Sequence, residues 1–309
     1  MVLVAAALIG LLIGLGALRL HLTTDPLGDI HAYYDAGARL NAGLPLYDQA
    51  ATTNDADFYR YPPLLAIAFR PLALLPFEAA AAIWMAILLG AFALTVVRLG
   101  FRWPVLLALG MLAMPILWTL AVGQAQALVT LFLAYGTPLG VALAGHIKLT
   151  PWLVGIYWVA RRDRRQVLRL VAWIAGLALL QLVLEPQATI AYLSFSSLDQ
   201  VGEVRNISPY GVSPVFWMIT VAAGGLLAWR MAPSRWGWAV AVAFSVFAMP
   251  RLLGYQLSTL LAAFGGPRQP AADAPAGDPD AMPERTRPRG RGDSKRAGSP
   301  AHGPARCRR

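Results

Sequence analysis

Long apolar segments recur along the chain from residue 2 to residue 264, and they constrain the fold more than any other feature. Only 14% of the residues are charged and the mean hydropathy is +0.54, whereas about a quarter of a soluble domain is charged. Helices of this composition suit a bilayer, because a helix satisfies its own backbone hydrogen bonds in lipid. The pattern therefore predicts one all-α integral membrane domain over residues 1–264.

Interruptions in the apolar pattern divide this domain into about 9–10 membrane helices. We place them at 2–20, 78–98, 104–121, 125–136, 138–147, 151–160, 167–186, 214–232, 237–249 and 252–264. The first segment lacks a basic start and a small-residue cleavage site, so we expect a retained helix rather than a signal peptide. Several segments are shorter than the roughly 20 residues of a full span. Broken helices at membrane depth need protein or water around the break, so the breaks predict a cavity.

Basic residues between the apolar segments predict the orientation, because short cytoplasmic loops are enriched in Lys and Arg. These residues are Arg98, Arg102, the run 161–165, Arg230, Arg235 and the arginines of the tail. The opposite, extracytoplasmic face then carries the loops 21–77, 123–126, 148–151, 187–213 and 250–251. The net charge of +10 follows from this topology and from the tail, and it does not indicate a nucleic-acid partner.

The segment 265–309 differs in composition from the rest of the chain. It is rich in Pro, Gly, Ala and Arg, and Met282 is its single large aliphatic side chain. It cannot bury enough apolar surface to offset the entropy of ordering, so we expect a disordered basic tail on the cytoplasmic side. The tail either rests on anionic membrane lipids or is simply solvated. The single cysteine, Cys307, excludes an intramolecular disulfide, and no residues at metal-ligand spacing predict a metal site.

Lys148 lies within an otherwise apolar stretch, residues 141–160, and is followed by Thr150 and Pro151. A charge at bilayer depth costs several kcal/mol unless it faces water, protein or an anion. The stretch therefore indicates a protein that handles a negatively charged group inside or beside the bilayer. The alternatives are that Lys148 reaches towards the membrane surface, or that it pairs with Glu185 or Asp199.

The first outer loop, residues 21–77, is the richest in polar and aromatic side chains. Residues 29–42 mix small apolar and polar residues at helical spacing and predict a helix on the membrane surface. Pro62 and Pro63 open a second short helix, predicted over 64–75. On the first helix, Asp29 and Tyr33 share a face at i and i+4. Helix capping alone would also explain an acid at position 29.

Five groups of residues occur in order along the chain. They are Asp29-Ile-His-Ala-Tyr33-Tyr34 with Gly43-Leu-Pro-Leu-Tyr47 and Tyr61-Pro-Pro-Leu64, then Gly123-Gln-Ala-Gln126, Lys148-Leu-Thr-Pro151, Arg205-Asn-Ile-Ser208-Pro-Tyr-Gly211 and Pro250-Arg-Leu-Leu-Gly-Tyr255. Together they resemble glycosyltransferase family 87, over about residues 1–264. The resemblance implies a GT-C-like multi-helix bundle whose long first extracytoplasmic loop carries surface helices. The apolar region ends soon after the last motif, whereas many relatives have further membrane helices.

The resemblance also implies a reaction. Enzymes of this family are expected to move a hexose, here mannose, from a polyprenyl-phosphate donor to a lipid-linked or cell-envelope glycan acceptor, with inversion and without a cofactor. The acceptor hydroxyl attacks the anomeric carbon while an acid of the first outer loop acts as base, and the matching position is Asp29. The departing lipid phosphate needs stabilisation by cations. The candidates for substrate binding are Lys148, Arg251, Arg205, Gln124, Gln126, Asn206, Tyr33 and Tyr61.

Each of these candidates has a structural alternative. Gln124 and Gln126 could join helices through hydrogen bonds, Arg205 and Asn206 could organise a loop turn, and Arg251 could bond carbonyls freed at a helix break. Asp25 and Asp35 are rival acids. No glycine-rich phosphate loop is present in the sequence, which argues against a nucleotide-sugar donor. For the whole protein, the alternatives are a transporter or flippase of a lipid-linked anion and a non-catalytic membrane scaffold.

Overall fold

The computed structural model describes residues 1–47, 59–194 and 206–267. Within these ranges the chain is helical and contains no strand, which confirms an all-α membrane protein. The α-helices are α1 Val2–Thr24, α2 Gly28–Asn41, α3 Pro63–Phe69, α4 Phe77–Leu99, α5 Trp103–Met111, α6 Ala113–Ala121, α7 Gln126–Tyr135, α8 Pro138–Ile147, α9 Ile156–Ala160, α10 Arg164–Leu184, α11 Pro186–Ser194, α12 Pro214–Met231 and α13 Gly237–Phe247. The 3-10 helices are Leu72–Leu74, Thr150–Gly155, Pro209–Gly211 and Gly254–Phe264. The predicted disorder of the tail concerns residues that lie almost entirely outside the described ranges.

Four helices, α1, α4, α10 and α12, are long and apolar enough to cross a membrane, and α5 with α6 makes a fifth if the bent pair counts as one span. The other predicted membrane helices are shorter than a full membrane span, as the breaks in the apolar pattern indicate. The long helices turn apolar side chains outward: only 6% of the most apolar window of α1 is buried. This exposure suits lipid-facing spans.

Several predicted helix boundaries are wrong, and proline explains most of the differences. The predicted helix 104–121 is bent by 61° between α5 and α6, because Pro115 cannot donate a backbone hydrogen bond and clashes with the preceding turn. Pro186 likewise separates α10 from α11 within the predicted helix 167–186, and Pro71 ends α3 before residue 75. The predicted helix 151–160, which follows Lys148, begins as the 3-10 helix Thr150–Gly155. The predicted helix 252–264, which follows Arg251, is a 3-10 helix over Gly254–Phe264.

The interior is built from the short helices α7 and α8 and from the final 3-10 helix, Gly254–Phe264. Side chains of α7 such as Val129 and Leu133 are fully buried, as are Val141 and Ala144 of α8. The long helices pack around them, with α4 against α7 and α10 against α8. Gln124, just before α7, and Lys148, just after α8, are accordingly buried inside the protein.

Helix α2 is fixed across one end of this bundle. The backbone N–H groups of Leu27 and Asp29 donate to the carbonyls of Ala121 and Val122, 3.1 Å away in each case, at the end of α6. The inner face of α2, including Ile30, packs on α3 and on the turn after α6. The predicted surface helix at 29–42 is thus present at 28–41, with one face fully buried.

Candidate active site

Asp29 lies in the first turn of α2, where the backbone contacts with α6 fix its position. The N-cap of this helix is Leu27, which provides no side-chain cap, so capping does not account for the acid. The residue as a whole is partly exposed to solvent, but its carboxyl group is buried by the surrounding protein. This desolvation raises the pKa of Asp29 to about 6, against the opposing charges of Lys148, Arg251 and Arg60.

Those three cations define the electrostatics of the site. In order of decreasing effect, Lys148, Arg251 and Arg60 stabilise the ionised form of Asp29, and the Asp25 carboxylate opposes them. The predicted acid and two of the predicted cations, which come from distant parts of the chain, are therefore close enough for their charges to interact. Asp29 lies outside the long membrane-spanning helices, on the same end of the bundle as the breaks that carry Lys148 and Arg251.

Lys148 begins the break between α8 and the 3-10 helix Thr150–Gly155, in extended backbone conformation. It is 7% exposed, and its ammonium Nζ has no hydrogen-bond partner. The ammonium lies 4.8 Å from the ring centre of Tyr255 and 5.5 Å from that of Tyr61, so two aromatic faces stabilise it in part. Burial lowers the pKa of Lys148, and the nearby Asp29 charge opposes this effect.

The alternative ion pair between Lys148 and Glu185 is not formed. Glu185 instead accepts a hydrogen bond from Arg70, whose Nε also donates to Asn41 over 2.9 Å. The other proposed partner, Asp199, lies outside the described residues. A buried ammonium without a hydrogen-bonded partner is costly, and this cost makes the position suitable for an anionic ligand.

Arg251 lies in the break that follows α13, and Asn206 fixes the backbone on both sides of it. The Asn206 Nδ2 donates to the carbonyl of Pro250 over 3.1 Å, and its Oδ1 accepts from the N–H of Leu252 over 2.9 Å. The Ile207 N–H also donates to the Leu252 carbonyl. Asn206 therefore positions the segment that carries Arg251. Arg205 falls outside the described residues.

Gln124, Tyr33 and Tyr61 form one hydrogen-bonded group. Gln124 is fully buried; its Oε1 accepts from the Tyr33 hydroxyl, and its Nε2 donates to the Tyr61 hydroxyl over 3.0 Å. Tyr33 is also fully buried and accepts from the Ala125 N–H. Tyr61 is partly exposed and contacts Lys148. Tyr61 is thus the member of the group that faces the site, and the other two support it.

Gly123 shapes the turn that presents Gln124. Its φ is +70°, and a Cβ at this position would lie 2.2 Å from Cγ1 of Ile30. The Gly123 carbonyl accepts from the indole Nε1 of Trp84 over 2.8 Å. Both the left-handed conformation and the close approach require glycine here, and the turn brings α2 next to α6.

Gln126 does not belong to this group in the described contacts. It is fully buried in α7, and its Nε2 donates to Thr259 of the last 3-10 helix. This contact matches the alternative in which the glutamine joins two helices. Its Oε1 has no hydrogen-bond partner.

Two residues of the site were not selected from the sequence. Arg60 acts on the Asp29 charge, and Tyr255 provides the nearer of the two rings beneath Lys148. Each lies beside a selected residue, Arg60 next to Tyr61 and Tyr255 four positions after Arg251. Arg60 directly precedes the motif that begins at Tyr61, and Tyr255 ends the motif that begins at Pro250; these positions are the available signal.

The fold and the site define a helical membrane protein with a carboxylate and several cations gathered at helix breaks on one end of the bundle. Residues 58–265, more than half of the chain, match glycosyltransferase family 87. The chain belongs to this family.

Two curated relatives are similar to part of the chain. The polyprenol-phosphate-mannose-dependent alpha-(1-2)-phosphatidylinositol pentamannoside mannosyltransferase of Mycolicibacterium smegmatis is 31% identical over 209 residues, and the match covers 60% of this chain and 49% of that protein. The protein of the same name from Mycobacterium tuberculosis is 27% identical over 208 residues, 60% of this chain and 47% of its own length. The chain thus spans about half the length of these relatives. No solved structure matches it.

Proposed function

We propose that this protein is a membrane hexosyltransferase that moves mannose from a polyprenyl-phosphate donor to a hydroxyl group of a glycolipid or envelope-glycan acceptor. The observation that carries the proposal is the gathering of Asp29, Lys148 and Arg251 in one site. The family supports a glycosyl transfer. The names of the two relatives support the donor, and they suggest a phosphatidylinositol mannoside as acceptor.

In the proposed reaction, Asp29 accepts the proton of the acceptor hydroxyl as its oxygen attacks the anomeric carbon. The bond between that carbon and the phosphate oxygen breaks on the opposite face, and the polyprenyl phosphate leaves with the electron pair. Lys148 and Arg251 stabilise the negative charge that develops on the leaving oxygen. Arginine offers the phosphate a fork of donors, while lysine acts as a point charge.

Tyr61 has two roles in this proposal. Its ring contacts the Lys148 ammonium, and its partly exposed face is available to stack on the sugar ring. Gln124 donates to its hydroxyl, and Tyr33 in turn donates to Gln124. Asn206 acts as a positioning residue for Arg251, and Arg205 stays a predicted phosphate contact.

Reconstitution tests the proposed function directly. Purified protein in proteoliposomes is incubated with a radiolabelled polyprenyl-phosphate mannose and a phosphatidylinositol mannoside acceptor. The products are separated, and their masses are determined by mass spectrometry. We expect a product heavier than the acceptor by one hexose. If donor crosses the bilayer without any transfer, the protein is a flippase instead.

The pH profile of this transfer follows from the two buried charges. Asp29 accepts a proton only when ionised. Because its pKa is raised to about 6, kcat/KM should fall as the pH drops through that value. Lys148 must stay protonated. Because its pKa is lowered, kcat/KM should begin to fall at a pH below the ordinary pKa of lysine. We expect a bell-shaped profile. Lys148→Arg should remove the high-pH limb alone, because arginine stays charged; an unchanged limb would assign it to another group.

We also propose that the site faces the extracytoplasmic side of the cell membrane and that the tail is cytoplasmic. Cys307 permits a direct test because it is the single cysteine. A membrane-impermeant thiol reagent should label it only after cells are permeabilised. In a Cys307→Ser background, Ala42→Cys at the exposed end of α2 should be labelled in intact cells. The reverse pattern would invert the topology.

A further inference from the structure

A cavity of about 510 Å³ lies between the segment that follows α2 and helix α11, away from Asp29, Lys148 and Arg251, none of which is among its described lining residues. We call it the distal cavity. Residues 43–47 form one wall, and Glu185, Gln187, Ala191 and Ser194 form part of the other. Its volume falls within the roughly 300–1,000 Å³ typical of small-molecule sites. None of the roles assigned above uses it.

The lining of the distal cavity favours an uncharged ligand rich in hydroxyl groups. Glu185 is the one charged residue among its described lining residues, and it is paired with Arg70, so this lining offers an anion no cation of its own. A carboxylate offers about four acceptor positions, and the hydrogen bond from Arg70 leaves capacity for hydroxyl donors. Gln187 and Ser194 are exposed and add both donors and acceptors. The ring of Tyr47 lies in the wall, 5.6 Å from that of Tyr192.

The position of the distal cavity fits a ligand that is attached to a lipid. The apolar span α10 ends at Leu184, and the cavity begins at the next residue. On α11, Ile190 and Leu193 are 62% and 83% exposed, which gives the rim an apolar edge at the membrane boundary. A headgroup rich in hydroxyls could enter the cavity while its lipid chain stays in the bilayer.

Helix α2 connects the distal cavity to the catalytic acid. Asp29 is in the first turn, and Leu40 in the last turn lines the cavity. Eleven residues of helix separate the two positions by roughly 17 Å. A second link is the Tyr47 hydroxyl, which donates to the carbonyl of Tyr61 over 2.7 Å. A ligand that reaches both places must carry an extended headgroup rather than a single sugar.

We propose that the distal cavity binds a neutral sugar unit of a multi-sugar glycolipid acceptor, remote from the hydroxyl that reacts at Asp29. This inference rests on the proposed function and deepens it. It predicts that the protein selects acceptors by the length of their glycan headgroup, because only a long headgroup occupies both positions.

The test fills the distal cavity without touching the site around Asp29. Ala191→Trp places a large ring in the cavity from an exposed position, and Ile190→Trp, on the neighbouring exposed residue outside the lining, is the matched control. Transfer is measured with a phosphatidylinositol oligomannoside and with an alkyl mannoside that has one sugar. Ala191→Trp should raise KM for the oligomannoside at least about tenfold, through lost hydrogen bonds, and leave KM for the alkyl mannoside within about twofold. Ile190→Trp should change neither.

Equal effects of Ala191→Trp on both acceptors, or no effect on either, would overturn the inference while leaving the proposed transferase intact. If the wild-type protein transfers mannose to neither acceptor, the proposed function fails. The cavity is then tested alone by saturation-transfer NMR with a free neutral oligomannoside and the full chain in nanodiscs. The signal should be present with the wild type and Ile190→Trp and lost with Ala191→Trp. Absence of a signal with the wild type would rule out a sugar site.

Discussion

Asp29→Asn should lower kcat for mannosyl transfer by about 10²–10⁴-fold, the contribution of a positioned general base. Asparagine matches the size of aspartate but cannot accept the acceptor proton. The protein should still fold, because Asp29 does not cap α2 and the backbone N–H of residue 29 keeps its bond to Val122. The measurement is initial-rate transfer in proteoliposomes at saturating donor and acceptor.

The same variant should bind polyprenyl phosphate at least as well as the wild type. The Asp29 carboxylate lies among cations that the phosphate needs, so removing its charge reduces repulsion of the donor. A large loss of kcat without a loss of donor affinity separates a catalytic base from a residue that merely supports the site.

Asp25→Asn is the matched control. Asp25 is near enough to influence the Asp29 charge, but its carboxylate is bonded to His21 over 2.8 Å and to Thr24 over 2.8 Å. We expect its kcat to stay within about threefold of the wild type, because both bonds use Oδ1 and an asparagine oxygen can still accept them. Full activity in Asp29→Asn, or an equal loss in Asp25→Asn, would remove Asp29 as the base.

The sequence predicts the helical class and most of the helix positions because both depend on local patterns. The apolar runs identify the long spans, and residues 29–42 identify α2 almost to the residue. The errors fall where proline acts within an apolar run. At Pro115 the hydropathy continues through the bend between α5 and α6, so composition alone gives one straight helix.

The site could be predicted only in part. A charge in an apolar stretch is conspicuous in a sequence and indicates Lys148, whereas Asp29 and Arg251 follow from the family resemblance. The division of roles within the site depends on contacts between distant residues. Tyr33 and Gln124 are 91 positions apart, and no local pattern shows that they bond each other behind Tyr61. For the same reason, Gln126 was grouped with Gln124 although the structure places it against Thr259.

Lys148→Met should reduce kcat/KM for the polyprenyl-phosphate donor by about 10²–10³-fold, the loss that follows removal of one group that stabilises charge in the transition state. Methionine keeps an unbranched apolar chain in the same buried space, so the change removes the charge with little effect on packing. Arg251→Ala should also weaken the reaction, whereas Lys148→Arg should retain more activity than Lys148→Met, because it keeps a cation near the phosphate.

The stability of Lys148→Met distinguishes a ligand-binding role from a structural one. In the described part of the chain the Lys148 ammonium has no hydrogen-bond partner; two aromatic faces contact it, and the attraction of the Asp29 charge is a smaller effect than burial. Its burial costs several kcal/mol, more than the roughly 0.5–2 kcal/mol that cation–π contacts return. The thermal unfolding temperature of the unliganded Met variant should therefore equal or exceed that of the wild type. Added polyprenyl phosphate should raise the unfolding temperature of the wild type far more than that of the variant, because the phosphate supplies the hydrogen-bonded partner that the Lys148 ammonium otherwise lacks. A variant that unfolds at a lower temperature without ligand would show that Lys148 maintains the fold instead.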